Sequence, residues 1–335
     1  MKHTNLGAST LSVSRVCLGT MHLGGRTDEA ESFAVMDRAL EMGINFFDTA
    51  NVYGFPKERG LTETIIGRWL AQDPARRERI VLATKVYNNM NEGDGPNRRQ
   101  GFSAYRVRRH LEDSLRRLQT DHVDLYQVHH IDRNVTLEEF WGTMDRHQDD
   151  GKFLYAGASN FTGWGLAQYQ AAARARGRLG FVSEQSMFSL LCRYAELEVL
   201  PSSDAHGIGV IPYMPLAGGL LSGNVDIVEA SRTAQVAAEY GIEAGPGNSK
   251  LKAFAELAGD LGVRPHSLAI AWVLSRPAVA SAIVGVRTVK HLDGLAEATE
   301  LELSNEVTAK LDELFPPSAG RPLRVGRGAP EAYAW

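Results

Sequence analysis

The chain has 335 residues, 44% hydrophobic and 23% charged, which is the composition of a globular protein with a full core; the length suits two average domains or one large α/β barrel. A formal net charge of −4 gives no basic footprint for nucleic acid or an anionic membrane, the first residues form no apolar leader, and no run nears the ~18 apolar residues that span a bilayer. Two cysteines, Cys17 and Cys192, make no disulfide framework and point to a reducing, cytoplasmic setting.

Residues 2–13 read as two short strands joined at Gly7-Ala8-Ser9, a hairpin plugging one end of the fold. Val16-Cys17-Leu18 is the first apolar run and stops at Gly19-Thr20-Met21. Asp28 caps a helix with Phe33, Met36, Leu40 and Met42 on one face, ending at Gly43. The second run, 44–47, ends at Asp48, with Tyr53 five residues on; a helix follows near 62–70, and the third run, 80–84, ends at Lys85. A polar loop, 87–102, leads to Ser103, which caps a helix carrying Val107, Leu111, Leu115 and Leu118. The run 123–128 ends at His129; after a helix at 137–149, the run 153–158 ends at Ser159-Asn160. A helix at 165–175, the run 181–183 ending near Gln185, a helix at 195–206 and the run 208–211 ending at Pro212-Tyr213 come next. Beyond a Gly-rich segment, 218–247, lie helices at 250–261 and 267–274, the eighth run, 281–284, ending at Gly285-Val286-Arg287, and helices near 291–298 and 305–314.

Eight short apolar runs alternating with helices predict an α/β fold with a parallel sheet, and eight units fit a closed (β/α)₈ TIM barrel. A doubly wound open sheet is the alternative; it wants a Gly-rich phosphate turn after an early strand, a pattern Gly24-Gly25 lacks. We expect one barrel domain over 1–335, with 1–14 as the hairpin plug, extra C-terminal helices, and 87–102, 218–248 and 316–335 as loops and tail at the mouth. Barrel active sites lie where strands end, so Asp48, Lys85, His129, Ser159-Asn160, Gln185, Tyr213 and Arg287, with Tyr53 one short loop away, should share that mouth.

Four of these residue types together suit the reduction of a carbonyl. Tyrosine, with a pKa near 10, is a poor acid at neutral pH. An ammonium beside it favours tyrosinate, so Lys85 is expected to lower the pKa of Tyr53, with Asp48 keeping Lys85 charged. Tyr53 is then the general acid for a carbonyl oxygen, and His129 donates a second hydrogen bond to that oxygen. No Gly-x-Ser-x-Gly nucleophile elbow is present.

The ordered motifs Gly43-Ile44-Asn45-Phe46-Phe47-Asp48-Thr49-Ala50 with Tyr53-Gly54, Thr84-Lys85, Asp124-Leu125-Tyr126-Gln127-Val128-His129, Gly157-Ala158-Ser159-Asn160-Phe161, the stretch 213–223 and Gly285-Val286-Arg287-Thr288 resemble the aldo-keto reductase family over nearly the whole chain. The resemblance implies a catalytic tetrad of Asp48, Tyr53, Lys85 and His129. It implies that Ser159, Asn160 and Gln185 hold a nicotinamide carboxamide, that Tyr213 stacks on the ring, and that Leu216, Gly218 and Leu220 line the pyrophosphate loop. Gly19, Thr20, Met21, Asp48, Pro215 and Gly285 complete the cofactor set, and Arg287 sits where the family contacts the adenosine 2′-phosphate, favouring NADPH (NADP+) over NADH. The pattern departs at His291, Gly294 and Leu295, where the family often carries Gln or Arg, then Glu and Asn; His291 remains a candidate contact for the phosphate or adenine.

The partner implied is a small-molecule carbonyl compound, with no nucleic acid and no membrane, and the family includes homo-oligomers. Gln127 to Arg133 with Glu139-Phe140-Trp141 resembles a bacterial subgroup containing reductases of NDP-4-keto-deoxysugars; a general aldehyde or ketone reductase is the other reading of substrate. A contrasting reading of function is a non-catalytic, NADP-binding sensory barrel. His129-His130-Ile131-Asp132 also suggests a metal site, but adjacent side chains on an extended segment point opposite ways, and Lys85 and Ser159 stand where further ligands are wanted, so we expect no metal. Trp69, Trp141, Trp164 and Trp272 fall in helical patterns and read as packing, Gly218–Gly247 as a flap over the cofactor, and Tyr333 and Trp335 as either a lid or a frayed end.

Overall fold

The computed structural model describes residues 1–90, 101–223 and 248–317. A hairpin, β1 (His3–Asn5) and β2 (Ser12–Ser14), precedes eight parallel strands: β3 (Val16–Gly19), β4 (Phe46–Asp48), β5 (Val81–Val86), β6 (Val123–Val128), β7 (Phe153–Ser159), β8 (Phe181–Gln185), β9 (Gly209–Val210) and β10 (Ala282–Gly285). The strands neighbour one another in chain order, and β10 returns to pair with β3. The backbone also bridges β9 to the approach of β10: Val210 N donates to Ala278 O at 2.7 Å, Ala280 N to Val210 O at 2.8 Å and Ile283 N to Pro212 O at 2.9 Å. Those bonds close the ring, so the doubly wound alternative is excluded.

Alternation along each short strand divides the core in two. Cys17, Phe46, Val81, Ala83, Leu125, Val182, Ile211 and Ile283 fill the barrel interior together with Leu6 and Val13 of the hairpin, which plugs the end opposite the strand C-termini. Val16, Leu18, Phe47, Leu82, Tyr126 and Val128 belong to the larger core cluster, which includes residues of the surrounding helices. Those helices are α1 (Glu29–Glu41), α2 (Leu61–Ala71), α3 (Ala75–Glu78), α4 (Ala104–Leu118), α5 (Leu137–Asp149), α6 (Gly163–Ala175), α7 (Val199–His206), α8 (Ser249–Asp260), α9 (Pro265–Leu274), α10 (Leu295–Glu300) and α11 (Asn305–Leu314), numbered among the described residues. Side-chain caps fix where several begin: Asp28, Ser103, Thr136, Thr162 and Ser304 each accept a backbone N–H from three residues on. Each such cap contributes about 1 kcal/mol.

Three expectations change. The helix read at 195–206 is a 3₁₀ turn, Tyr194–Glu196, followed by α7; Pro201 lacks an N–H and is tolerated only in a first turn, so the α-helix starts late. The helix read near 291–298 is split by Gly294, whose φ of +83° lies in the left-handed region. Trp164 is not packing: 59% of it is exposed at the start of α6, with the Arg133 guanidinium 5.0 Å from its ring, whereas Trp69, Trp141 and Trp272 are buried. Most of the loops read at 87–102 and 218–248, and the tail with Tyr333 and Trp335, lie outside the described residues. No helix among the described residues is long and apolar enough to cross a membrane.

Candidate active site

Asp48 is the last residue of β4 and Lys85 the penultimate residue of β5, so their side chains face the interior one layer above Phe46 and Ala83. The chain after Asp48 keeps pairing with β5, through Thr49 N to Ala83 O at 2.9 Å and Asn51 N to Lys85 O at 3.2 Å, and then folds back. That return needs Gly54: its φ is +117°, and a Cβ there would lie 2.3 Å from the Glu58 carbonyl. The fold-back brings the Tyr53 hydroxyl to 3.2 Å from Lys85 Nζ. The same nitrogen donates to Asp48 Oδ2 at 2.6 Å and to the Thr49 carbonyl at 2.9 Å.

The pair is buried, with Lys85 0% and Asp48 2% exposed. Burial opposes the charge on Lys85, but the neighbouring Asp48 and Tyr53, as charges and hydrogen-bond partners, prevail and raise its pKa. Lys85 is therefore an ammonium throughout the physiological range. Tyr53 corrects an expectation. Burial raises its pKa more than Lys85 lowers it, and Asp48 adds to the rise, so the resting group is a protonated phenol rather than an already acidic one.

His129 follows the end of β6, its ring edge-on to Tyr53 with centroids 6.1 Å apart. Burial, then Lys85 and His130, hold its pKa well below the usual imidazole range, so the ring is neutral. Asn88 Nδ2 lies 3.3 Å from its Nδ1; with the amide as donor, Nδ1 accepts and the ring proton sits on Nε2. The expectation that the side chains of His129 and His130 point opposite ways does not hold. The strand ends at Val128, so its alternation no longer applies, and the two imidazoles stack 4.8 Å apart and 5° from parallel. His130 also meets the Tyr87 ring edge-on at 5.1 Å. Among the described residues no cluster of three metal-ligating side chains occurs.

The residues expected to hold a nicotinamide ring also meet at this end of the barrel. Ser159 Oγ donates to the Gln185 carbonyl at 2.8 Å, Asn160 Nδ2 donates to Ser159 Oγ at 2.9 Å and to the His129 carbonyl at 3.1 Å, and the Tyr213 hydroxyl donates to Asn160 Oδ1 at 2.9 Å. Asn160 itself is left-handed at φ +61°, which bends the chain sharply off β7. An amide and hydroxyl set of this kind suits a carboxamide, which has both donors and an acceptor. After Leu216 the backbone runs left-handed through Ala217, Gly218 and Gly219, a conformation of the type that builds anion-holding concavities. Pro215 and Leu220 are buried and Thr20 Oγ1 is bonded to the Asp48 carbonyl at 2.9 Å, which leaves these three mainly backbone to offer, while Met21 is 39% exposed. Gly285, Arg287 and His291 are exposed at the end of β10. His291 Nδ1 closes a capping box with Thr288, 2.9 Å from its Oγ1, which turns Nε2 outward. Leu295 is 1% exposed, so the residue at the position that departs from the family pattern is core and not a ligand contact.

Two residues with no role in the sequence reading stand out. Gln127, at an inward position of β6 between Leu125 and His129, donates to Asp48 Oδ1 at 2.8 Å; a polar residue in the inward phase of a buried strand is the available signal. Lys290 adds a second exposed cation within four residues of Arg287, visible as a Lys just past the last motif.

A closed (β/α)₈ barrel with a Lys–Asp–Tyr cluster at its C-terminal mouth and amide donors beside it defines an oxidoreductase class rather than a hydrolase. Comparison with known proteins agrees. The Aldo/keto reductase family profile matches residues 15–315. The chain is similar to "Uncharacterized oxidoreductase YrpG" of Bacillus subtilis (strain 168), 47% identical with both chains covered in full. It is 32% identical to "Protein tas" of Escherichia coli (strain K12), over 93% of this chain and 97% of that one, and 32% identical to "Norsolorinic acid reductase A" of Aspergillus parasiticus, over 93% and 80%. The chain belongs to the aldo/keto reductase family. Members generally use NAD(P)H, and a small-molecule substrate fits such a barrel.

Proposed function

We propose that the protein reduces the carbonyl group of a small molecule, with NADPH as the hydride source and Tyr53 as general acid. The observation that carries this is Lys85 Nζ, held between Asp48 Oδ2, the Thr49 carbonyl and the Tyr53 hydroxyl. Ser159, Asn160, Gln185 and Tyr213 would hold a reduced nicotinamide, which when bound would supply the hydride. His129, neutral and protonated on Nε2, donates to the carbonyl oxygen and orients it. As negative charge develops there, the Tyr53 hydroxyl gives up its proton, and the ammonium at 3.2 Å stabilises the phenolate left behind. Asp48 keeps that ammonium charged and fixed. Arg287, with Lys290 and His291 exposed beside it, would take the 2′-phosphate that distinguishes NADPH from NADH. Both cysteines are free and buried, which fits work in the cytoplasm.

Tyr53→Phe tests the acid. Carbonyl-dependent NADPH oxidation should fall by roughly 10²-fold or more while cofactor binding persists. Wild-type turnover in Tyr53→Phe would remove Tyr53 from the mechanism. NADPH binding with negligible turnover in the wild type would support the sensory reading.

For substrate, the family resemblance suggests a keto-deoxysugar nucleotide, while a relative named "Putative aryl-alcohol dehydrogenase C977.14c" of Schizosaccharomyces pombe, 32% identical over 93% of this chain and 95% of that one, suggests an aromatic substrate. The rings gathered beyond His129, namely His130 and Tyr87, favour the aromatic reading. A panel pairing keto-sugar nucleotides with aryl aldehydes and ketones decides; turnover of the sugars alone would reverse the choice.

A further inference from the structure

Asp48 has two oxygens, and the ion pair with Lys85 uses one. The other, Oδ1, accepts from two side-chain amides: Gln127 Nε2 at 2.8 Å and Gln185 Nε2 at 3.0 Å. Gln185 Nε2 spends its second hydrogen on Gln127 Oε1 at 3.1 Å. Gln127 is 0% and Gln185 3% exposed. Room for Gln127 is kept by Gly157, its register partner on β7, where a Cβ would lie 2.9 Å from Gln127 Cγ and 2.4 Å from Ser183 Oγ. Inward barrel positions are ordinarily filled by branched aliphatic residues, as Leu125 does two residues earlier. A leucine or methionine at 127 would fill similar space without burying an amide, so the amide itself needs a reason.

We propose that Gln127 is a positioning residue that fixes Asp48 against Lys85 and, through the same carboxamide, fixes Gln185 so that only its Oε1 is left to meet the cofactor's carboxamide. The polarity follows from the donor and acceptor inventory. An ionised carboxylate only accepts, so Gln127 must turn Nε2 toward Asp48 and Oε1 toward Gln185. Both hydrogens of Gln185 Nε2 are then used, one on Asp48 and one on Gln127. Gln185 Oε1 has no hydrogen-bond partner among the described residues and can only accept. An acceptor so fixed selects a group that donates: the N–H of a carboxamide, and not the methyl ketone of an acetylpyridine ring. One side chain thereby links the proton-donating cluster to the floor of the hydride-donating site.

This inference rests on the functional reading above, and its test separates the two. Kinetics of an aryl aldehyde with NADPH and with the acetylpyridine analogue of NADPH are compared for wild type, Gln127→Met, Gln127→Leu and Gln170→Leu. Gln170 is buried like Gln127, at 2% exposure, but bonds the Phe181 backbone at the far end of β8 and serves as a structural control. Gln127→Met should lose roughly tenfold or more in kcat with little change in the aldehyde KM, and its preference for NADPH over the analogue should shrink severalfold. Gln127→Leu, which also lacks the donor to Asp48, should move the same way and serves if the methionine variant does not fold. Gln170→Leu should lose thermal stability and keep both kcat and the cofactor preference. Folded Gln127 variants with wild-type kcat and wild-type preference would overturn the inference. A wild type without aldehyde-dependent NADPH oxidation would instead overturn the reading it rests on.

Discussion

The imidazoles of His129 and His130, consecutive in the chain, lie 4.8 Å apart and 5° from parallel at the mouth of the barrel. Two stacked rings beside the Lys85 ammonium cannot comfortably carry charge. Burial and then Lys85 bring the His130 pKa down to about 4, and burial, Lys85 and His130 hold His129 well below the usual imidazole range. The pair is a neutral, flat, polar wall at neutral pH.

Both depressed histidines act on stability in the same direction. In the unfolded chain each binds a proton near pH 6.5, whereas folded His130 does so only near pH 4, so the unfolded state holds more protons between those values and stability falls on acidification through that window. For His130 alone the loss between pH 7 and pH 5 is about 2 kcal/mol. His130→Gln should flatten the dependence of denaturant stability on pH by about that amount, compared with wild type at both pH values. Parallel curves for the two proteins would show that His130 titrates normally.

Cofactor selection should depend on Arg287. Arg287→Ala is expected to weaken NADPH binding by roughly tenfold or more and NADH binding little, because only the phosphate offers a charged partner for the guanidinium. Lys290→Ala should give a smaller loss of the same sign. Fluorescence titration with both dinucleotides measures the ratio, and a ratio unchanged in Arg287→Ala would remove the residue from phosphate recognition.

Glu63 is a buried carboxylate that no catalytic reading uses. At 0% exposure it accepts from Thr84 Oγ1 at 2.5 Å and from Arg117 Nε at 2.8 Å, tying α2 to β5 and α4 one residue before Lys85. Removing one partner of such a pair leaves the other uncompensated. Glu63→Ala should cost about 3 kcal/mol in chemical denaturation, whereas Glu63→Gln, which keeps the acceptor for Thr84, should cost less. A loss below about 0.5 kcal/mol for Glu63→Ala would mean that Arg117 finds water instead.

The residues legible in sequence are those whose position in a period carries the information. Asp48, Lys85 and His129 each interrupt an apolar run at or near its end, and eight such runs imply one mouth. Spacing places Tyr53, but not the net rise in its pKa, which balances burial against a charge at 3.2 Å and needs coordinates. Gln127 stands in plain view inside a motif, yet its partner Gln185 lies 58 residues away and sequence carries no register between the two. The stacking of His129 on His130 escapes a sequence reading because strand alternation stops at Val128, one residue before the pair begins. Gly294 shows in sequence only as a departure from a ligand pattern, although its left-handed φ is what breaks the helix there.

Arg193 makes the closest polar ties at the end of the described chain. Arg193, 5% exposed, donates to Glu196 Oε2 at 2.8 Å, to Asp312 Oδ1 at 2.7 Å and to the Phe315 carbonyl at 2.9 Å, and its guanidinium lies 5.0 Å from the buried Trp272 ring. It thus ties α11 to α9 and to the 3₁₀ turn beyond β8. Arg276 also lies over Trp272, at 4.2 Å, and reaches Asp312 at 3.4 Å, so the acid is not stranded when Arg193 is lost. Asp312 is moreover partly open to water, which moderates the penalty. Arg193→Ala should therefore destabilise by about 2 kcal/mol, short of the full cost of breaking a buried pair. Arg193→Lys should recover less than half of that, because an ammonium cannot reproduce the fork that spans Glu196, Asp312 and a carbonyl. Hydrogen exchange should quicken across 305–315 while the strand amides stay protected, and an Arg193→Ala protein with unchanged exchange in that segment would show that α11 is held by its apolar face, Leu311 and Phe315, without the arginine.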